Sequence, residues 1–588
     1  MNVFFSELRF VLGVLVGLGL AGGWVIVPFR SRLRYGALAA PLAGLLCIAL
    51  ATAVLYGIGG LPLGFCAVLS AACCTALTSA SIAILRMPLR WRRWLAPILV
   101  TLSVAVVVTL TVDAATIRLG GPAVLYTHGT DHLGYAQLSD WVASHPISVP
   151  PRATPEKPQA AWTEYVFKVD PRFGSFYFLG MVQLVRERSG AFSFDSACTV
   201  ALCAGILGVA GVFARSWRSL LLLIVGLTVS CWFDYSRCGF LGKILGYPSA
   251  LLVLGLFFAV PDLRSPLLLG MLALIAGAAS IVYPGVAAAM LLAAVAGPYL
   301  LSLRRPERAD RAVVAGLLIV VCILASGLPA RPIDILSSRA GGPGWQYLLP
   351  RILDLENQVT ALSGFTPGML TIIVAVAASV WALLIVAALL ARDPTAIGLL
   401  TGPLLLLAFL AAAGGWVPVL QLIGVLYPFA LCGAAHLTDE TPLPRWGRPA
   451  VMVLAAVMVA LRVPRYAGAG RRYAGSEVYA GWLYSRHETD RLVRAMRGRT
   501  VLVDIDHPNQ AIFVVTEIGR RNVRIQWTPR TWRTLFSYTD LRLPHYTAPP
   551  QLKLVSGTEP DEADRDLPLV FQTANLKLLD TSRNSTPH

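Results

Sequence analysis

Long apolar runs recur along most of this chain, and they restrict its possible folds more than any other feature. The run at 95–117, LAPILVTLSVAVVVTLTVDAATI, is long enough to cross the hydrocarbon core of a bilayer as a helix. Such runs explain why 56% of the residues are hydrophobic and only 14% are charged. A soluble protein of average composition does not repeat them. The sequence therefore predicts a polytopic α-helical membrane protein.

The apolar runs predict roughly 12–14 transmembrane helices, because Pro and Gly interrupt several of them. Arg30, Arg32 and Arg34 follow the first run where a signal peptide would have a small-residue cleavage site, so we expect this run to remain as a span. The runs lie at 10–28, 37–57, 62–85, 95–117, 196–214, 219–233, 247–260, 267–282, 285–302, 312–329, 369–391, 396–413, 418–436 and 449–463.

Short Arg-rich loops between these runs predict the orientation, since such loops stay in the cytoplasm. They lie at 30–34, 86–93, 215–218 and 304–311, and the predicted spans put them all on one side. The segments expected on the extracytoplasmic side are the N terminus, 118–195, 234–246, 330–368 and the C-terminal tail. Orientation also explains the net charge of +17 better than nucleic-acid binding does, and we expect no nucleic-acid partner.

Composition divides the chain into three predicted parts. Residues 1–94 form an N-terminal transmembrane extension, and residues 95–463 form a transmembrane core that carries the large extracytoplasmic loop 118–195. Residues 464–588 are more polar, and the stretches TVLVDID and VRIQW alternate like strands around a helix-like NQAIFVVTEIGRR. A soluble C-terminal α/β domain is the prediction from this order, with the final LPLVFQTANLKLL strand-like.

Several common catalytic and metal-binding motifs are absent from the sequence. The ten Cys lie in or beside apolar runs and none is in the tail, so neither a disulfide framework nor a CxxC metal pair is predicted. A Gly-rich phosphate loop, a GxSxG elbow and an HExxH motif are also missing. The chain is therefore not expected to be an ATPase, a common hydrolase or a zinc protease.

The stretch THGTDHLGYAQLSDWV, which begins at Thr127, places an acid and an imidazole beside a predicted span. Its apolar spacing predicts a helix over 127–145. Asp131 at the start of that helix could simply cap it. It could also deprotonate an acceptor hydroxyl or bind a divalent cation at the outer bilayer surface. His132 is the neighbouring candidate, although a lone His is more often a surface residue.

The loop FDYSRCGFLGKILGYP, which begins at Phe233, is the second candidate region. It contains Asp234, Arg237 and Lys243, and Lys243 is the only lysine between Lys168 and Lys553. Long cationic side chains at a span end can snorkel to the interface. They can also clamp a lipid phosphate, to which Arg presents a fork and Lys a point charge.

Further arginines on the predicted outer side run against the positive-inside rule and join the same phosphate-binding hypothesis. They are Arg172 in VDPRFGS and Arg331 and Arg339 in ARPIDILSSRAGGPGW. In the tail, VLVDIDHPNQ places Asp504, Asp506 and His507 where a strand gives way to a helix. That edge of an α/β sheet often binds ligands, but helix capping is the simpler interpretation.

An early span, an outer loop opening with the acidic GTDHLGYAQLSDWV helix, many further spans and an extracytoplasmic tail resemble the GT-C superfamily of integral-membrane glycosyltransferases. That superfamily includes protein mannosyltransferases and lipid A aminoarabinose transferases. The resemblance covers the architecture from about 95 to 463, and its local motif is the one around Asp131. Here Asp-His stands where an Asp-Glu pair is often seen, and three spans precede the matching one.

The resemblance implies an inverting transfer of a sugar from a polyprenyl-phosphate donor to a glycan, lipid or protein acceptor in the cell envelope. It implies that Asp131 is the catalytic residue, with His132 beside it. Arg172, Arg237, Lys243 and Arg339 would bind the donor phosphate. Metal use stays open, with Asp131 as the ligand if a divalent cation takes part. A bacterial inner-membrane protein with an extracytoplasmic C-terminal domain is the expectation.

Two other classes of protein share some of these features. A lipid or glycan transporter or flippase would also have many spans and outward-facing cations, but charged residues within the spans and paired broken helices are expected of it. In this chain Asp113 is the exception among spans nearly free of charge. An undecaprenyl-linked polysaccharide polymerase or ligase would act on the same kind of donor, and usually lacks an appended α/β domain.

Overall fold

The protein is a helical membrane protein. Six helices in the described part of the chain are long and apolar enough to cross a membrane: Asn2–Phe29, Gly36–Gly57, Leu63–Ile84, Leu95–Val112, Gly190–Phe213 and Leu241–Ala259. The computed structural model describes residues 2–84, 92–126, 131–152, 160, 163–164, 167, 173–230, 232–233, 236, 241–260, 265–283, 286–300, 306–325, 367–412, 416–441, 443–474, 482–521, 523–536, 542–557 and 564–582.

Each predicted apolar run overlaps a helix. The helices up to the tail are α1 (Asn2–Ile26), α2 (Ala40–Gly59), α3 (Leu63–Ile84), α4 (Arg92–Val112), α5 (Ala114–Leu119), α6 (Asp131–Ser144), α7 (Phe173–Arg186), α8 (Gly190–Phe213), α9 (Trp217–Thr228), α10 (Leu241–Ala259), α11 (Pro266–Val282), α12 (Val286–Leu300), α13 (Pro306–Ala325), α14 (Pro367–Ala391), α15 (Pro394–Ala412), α16 (Trp416–Asp439) and α17 (Gly447–Ala474). Several are shorter than a bilayer-crossing helix, among them α9, α11 and α12.

Helix α1 begins eight residues before the predicted run. The residues before that run include Glu7 and Arg9, and charged residues are costly in a membrane interior. In the structure Glu7 is buried, and its carboxylate pairs with the guanidinium groups of Arg186 and Arg188 while Ser196 donates to it. Two cations and a hydroxyl thus satisfy the charge and let the helix continue to Asn2.

Helix α8 is the centre of the bundle and is buried along its whole apolar stretch. Small residues allow neighbouring helices to approach it closely. A Cβ atom added at Gly208 would lie 2.6 Å from the Leu42 side chain of α2. Helices α3 and α4, in contrast, expose apolar side chains such as Val68 and Ile98. Lipid tails would cover such a surface in the membrane.

The contacts of α8 define two ends of the bundle. At 24 residues, α8 is about 36 Å long. Glu7 and Arg186 pair near its Gly190 end. Near its Phe213 end, the Arg34 side chain donates to the carbonyl oxygen of Arg215 at 3.2 Å. The described Arg-rich turns at 30–34 and 215–218 therefore share the Phe213 end, as their assignment to one side of the membrane requires.

The tail forms a small sheet with helices, as the alternating pattern predicted. The strands of the main sheet in the described tail are β3 (Thr500–Asp504), β4 (Arg524–Trp527), β5 (Leu552–Ser556), β6 (Leu569–Gln572) and β7 (Leu576–Asp580). They form a five-stranded sheet in the order β4-β3-β5-β7-β6. Strand β3 pairs in parallel with β4 and β5, and β7 pairs antiparallel with β5 and β6. The helices are α18 (Arg486–Met496), α19 (Pro508–Phe513) and α20 (Pro529–Phe536).

The last stretch of the tail contains two strands instead of one continuous pattern. The Thr573 hydroxyl accepts hydrogen bonds from the backbone N–H groups of Asn575 at 3.2 Å and Leu576 at 2.9 Å. This side-chain turn reverses the chain between β6 and β7, as short Ser and Thr side chains commonly do. Apolar residues stand at the odd positions from Leu567 to Phe571 and at the even positions from Ala574 to Leu578, and this change of phase was the signal for the turn.

A second, small sheet attaches the tail to the Gly190 end of the bundle. Strand β1 (Ala123–Tyr126) pairs antiparallel with β2 (Trp482–Ser485), from Ala123 opposite Ser485 to Tyr126 opposite Trp482. The hydrophobic core of the tail continues into the loop and the bundle, since Ala136 and Phe192 belong to it. The tail therefore lies at the same end as the start of α6.

Candidate functional site

Asp131 and His132 are the first two residues of α6, as the sequence predicted for the helix. Their side chains lie outside the described part of the structure. The next turn of α6 carries Tyr135, which is fully buried. The location of Tyr135 therefore shows which elements surround the start of this helix.

Tyr135 joins the start of α6 to the start of α10. Its hydroxyl oxygen accepts a hydrogen bond from the backbone N–H of Gly242 at 3.0 Å. Gly242 is the second residue of α10, and half-buried Lys243 follows it. One helical turn separates Asp131 from Tyr135. Two of the predicted site residues, which are 112 positions apart in the sequence, thus lie on helices that touch each other one turn after Asp131.

Helix α7 begins at the same place. The rings of Tyr135 and Phe176 are 5.0 Å apart, and further along the Ser139 hydroxyl donates to Gln183 Oε1 at 3.3 Å. These contacts show that α6 and α7 run in parallel. Helix α7 is largely buried, with Leu179 inaccessible to solvent. Its aromatic residues pack against protein instead of lipid.

The convergence of three helix N-termini has an electrostatic consequence. The free N–H groups in the first turn of a helix carry a partial positive charge, and three first turns add to the positive charge of Lys243. Helix N-termini bind phosphate groups for this reason. We call the first turns of α6, α7 and α10 the helix-start cluster.

Two tyrosines lie next to the helix-start cluster and were missed in the sequence. The rings of Tyr247 and Tyr283 are 6.0 Å apart with their planes at 67°. Tyr247 follows Lys243 by one turn, and Tyr283 directly follows α11. Both precede a proline, but so does Tyr427, so the Tyr-Pro pair alone did not single them out. Both rings are buried and pack behind the helix-start cluster.

A hydroxyl contact fixes α7 to α11 beside these tyrosines. Ser175 in the first turn of α7 donates to the carbonyl oxygen of Val282 at 2.8 Å. Of the other predicted phosphate-binding residues, Arg172 directly precedes α7 in the sequence and lies outside the described residues. Arg237, Arg331 and Arg339 also lie outside the described residues, as does Asp234.

A second carboxylate of α6, Asp140, lies where the bundle meets the tail. The backbone N–H of Gly190 donates to its Oδ1 at 2.8 Å. Desolvation at this contact raises the pKa of Asp140 to about 7, and the Glu517 carboxylate adds to the shift while the Arg520 guanidinium opposes it. Glu517 is fully buried and pairs with Arg520 at 3.4 Å. These charged groups couple the tail to the helix that carries Asp131.

The predicted tail residues mainly hold the sheet together. Asp504 Oδ1 accepts from the Thr528 hydroxyl at 3.0 Å, and Asp504 Oδ2 lies 2.9 Å from Lys553 Nζ. Burial alone would lower the pKa of Lys553, but hydrogen bonds to Asp564 and Asp504 outweigh it and raise that pKa.

Asp506 and His507 stand at the adjacent strand-to-helix junction. Asp506 pairs with Arg530, and His507 occupies the N-cap position of α19 without a side-chain cap hydrogen bond. Burial lowers the pKa of His507. An ion pair thus explains Asp506, and neither residue caps α19 through its side chain.

The described residues contain no group of three or more His, Cys, Asp or Glu side chains that could hold a metal ion. Neither the models of known protein families nor the curated proteins match this chain. The functional argument therefore depends on the geometry of the helix-start cluster.

Proposed function

We propose that this protein is a membrane glycosyltransferase of the GT-C type. It transfers a sugar from a polyprenyl-phosphate donor to a cell-envelope acceptor at the outer face of a bacterial inner membrane. The observation that carries the proposal is the 3.0 Å hydrogen bond from the Gly242 N–H to Tyr135 Oη. It joins the helix that starts at Asp131 to the helix that carries Lys243. A base and a phosphate-binding cation thus come from two helices that meet.

The donor phosphate fits the helix-start cluster. Lys243 and the N–H groups of the first turns would stabilise the negative charge on the departing polyprenyl phosphate, which grows as the glycosidic C–O bond breaks. The polyprenyl chain would remain among lipid tails, since the span at 241–259 begins at this cluster.

Asp131 would act as the base. The acceptor hydroxyl oxygen attacks the anomeric carbon from the face opposite the phosphate, its proton passes to the Asp131 carboxylate, and the bonding electrons of the C–O bond leave with the phosphate oxygen. The products are an inverted glycoside and polyprenyl phosphate. Such a transfer needs one base, because a lipid phosphate already is a good leaving group.

The tail supports acceptor access from the same side. The pairing of β1 with β2 holds the tail at the end of the bundle where α6 starts. With the Arg-rich turns in the cytoplasm, this end faces outward, and the tail is extracytoplasmic. An acceptor glycan, lipid or protein would reach Asp131 past the tail.

Release of polyprenyl phosphate by the purified full chain in lipid nanodiscs tests the proposal. A panel of polyprenyl-phosphate sugars would be supplied with an extract of envelope glycans as acceptor. We expect turnover by the wild type and a loss of about 10²- to 10⁴-fold in Asp131→Asn. Asp140→Asn is the matched control, because it makes the same change on the same helix, and it should keep turnover.

Two results would contradict the proposal. Equal turnover by the wild type and Asp131→Asn would remove the base from the mechanism. An inactive wild type that instead moved the intact donor between leaflets would show a flippase.

A further inference from the structure

A cavity of about 510 Å³ lies at the opposite end of the bundle, between the turn after α8 and the turn after α16. Arg215, Trp217, Arg218, Asp439, Arg448 and Met452 contribute to its wall. We call it the arginine pocket. It shares no residue with the helix-start cluster. The start of α10 lies beside the middle of α8, because a Cβ atom added at Gly205 would lie 2.7 Å from the Pro248 side chain. About 20 Å of helix therefore separates Lys243 from the pocket.

The wall of the arginine pocket is held in place by one carboxylate. Asp439 Oδ2 accepts hydrogen bonds from the backbone N–H groups of Arg215 at 2.7 Å and Ser216 at 3.0 Å, and from the Ser219 hydroxyl. Arg215 and Ser216 form the turn before α9, and Ser219 lies in its first turn, so Asp439 fixes this turn against α16. The turn in this way holds the arginine side chains at the cavity.

The charges in the pocket leave two arginines available. Arg215 Nε lies 2.8 Å from Glu440 Oε1, so this arginine is neutralised. Arg218 and Arg448 are exposed, and neither forms an ion pair within the described part of the chain. The Arg218 guanidinium lies 5.8 Å from the ring centre of Trp217, and Arg448 has a 3.5 Å contact with the carbonyl oxygen of Thr441. Two unpaired guanidinium groups at one cavity are a binding site for a phosphate.

The surface beside the pocket is apolar. Leu221 and Val225 follow Trp217 on α9 at intervals of four residues, and Val453 follows the pocket residue Pro449 by four on α17. Residues four apart share one helix face. Leu221 and Val453 are 55% and 62% exposed. A ligand whose head lies in the pocket would thus have its apolar part against these two helices.

We propose that the arginine pocket binds the head group of an anionic phospholipid of the surrounding membrane. Arg218 and Arg448 bind the phosphate, and the acyl chains lie along Leu221, Val225 and Val453. Exposed Trp217, at the rim, lies at the depth of the lipid head groups, where such rings are enriched. The two arginines explain why the ligand carries a phosphate. The exposed apolar residues beside the pocket explain why that ligand is a lipid. This site does not depend on the transferase activity.

The test measures the melting temperature of the detergent-purified full chain against added lipid. The probes are dioleoyl-phosphatidylglycerol, dioleoyl-phosphatidylcholine and inorganic phosphate. We expect a saturable rise with phosphatidylglycerol and little with the other two. Arg218→Gln with Arg448→Gln should weaken the apparent affinity by about tenfold or more. Substitution of both by Lys should retain part of it, since the charge remains.

Arg30→Gln with Arg32→Gln is the matched control, because it removes two exposed cations from the Arg-rich turn at the same end without touching the pocket. If this control lost as much affinity as the pocket variant, general attraction to anionic lipid would replace the proposal. An equal response to inorganic phosphate alone would identify a soluble ligand, and an equal response to phosphatidylcholine would remove the role of charge.

Discussion

The two ends of α8 carry cationic sites of different construction. At the Gly190 end, the helix-start cluster contains one half-buried lysine among buried tyrosines, and a hydrogen bond from a backbone amide fixes its geometry. At the Phe213 end, the arginine pocket presents exposed guanidinium groups on a turn fixed by Asp439. Buried, fixed charges can stabilise a transition state, whereas exposed charges supply binding that salt and solvent weaken.

The surroundings of the two sites differ in the same sense. Residues of α6, α7, α10 and α11 and the tail enclose the helix-start cluster, whereas the arginine pocket opens beside exposed apolar faces of α9 and α17. A reaction that must exclude water needs the first arrangement. A lipid that exchanges with the membrane needs the second. These surroundings favour the proposed chemistry at one end and the proposed lipid binding at the other.

The largest expected effect separates the two cations directly. Lys243→Gln should lower transferase turnover by about 100- to 1,000-fold, because it removes a fixed positive charge from the departing phosphate. Arg218→Gln should change turnover by less than about twofold, since about 20 Å, roughly two Debye lengths, separates the arginine pocket from Lys243. Release of polyprenyl phosphate measures both. Comparable losses of turnover in the two variants would show that the two ends do not differ in their role in the reaction.

The next effect concerns the packing that only the Gly190 end requires. A Cβ atom added at Gly190 would lie 2.4 Å from Ser139 Oγ and 2.5 Å from the carbonyl oxygen of Ala136. Gly190→Ala should therefore push α6 from α8 and destabilise the protein by about 2 kcal/mol. Thermal unfolding in detergent measures this. Gly17→Ala, with nothing within 4 Å of the added atom, should leave the melting temperature nearly unchanged.

The sequence predicted more of the helix-start cluster than of the arginine pocket. Apolar periodicity located the helices, since burial in lipid and in protein both favour it, and it placed Asp131 at a helix start. The cations of the loop at 233–248 made Lys243 a candidate. The contact between the helices that carry Asp131 and Lys243 is made by Tyr135 and Gly242, 107 positions apart, and no local pattern encodes it.

The arginine pocket was harder to predict from the sequence. Its turn was visible as an Arg-rich loop, but the sequence explained that loop fully by membrane orientation. The carboxylate that shapes the pocket is Asp439, which contacts Ser219 across 220 positions. Long-range pairings of this kind exist only in the folded chain. The sequence therefore showed the positive charge of this loop but not the pocket.

A smaller effect probes how the turn shapes the arginine pocket. Asp439→Ala leaves the N–H groups of Arg215 and Ser216 without their carboxylate, and it should destabilise the protein by about 1 kcal/mol, as loss of a helix cap does. The melting-temperature response to phosphatidylglycerol should weaken, while turnover remains. If Asp439→Ala abolished turnover in a protein that still melted cooperatively, the two ends would be coupled.

The last effect is a pH dependence confined to the Gly190 end. The folded-state pKa of Asp140 is raised to about 7, so its neutral form is favoured in the folded protein. Stability from this group is fully present below its unfolded pKa, near 4, and is lost as pH rises through about 7. The melting temperature of the wild type should therefore fall more between pH 5 and pH 8 than that of Asp140→Asn, which cannot ionise.

The response of the arginine pocket to phosphatidylglycerol should be the same in both proteins, because no part of that pocket touches Asp140. Parallel melting curves in the two proteins would mean that other groups govern how the tail is held against α6.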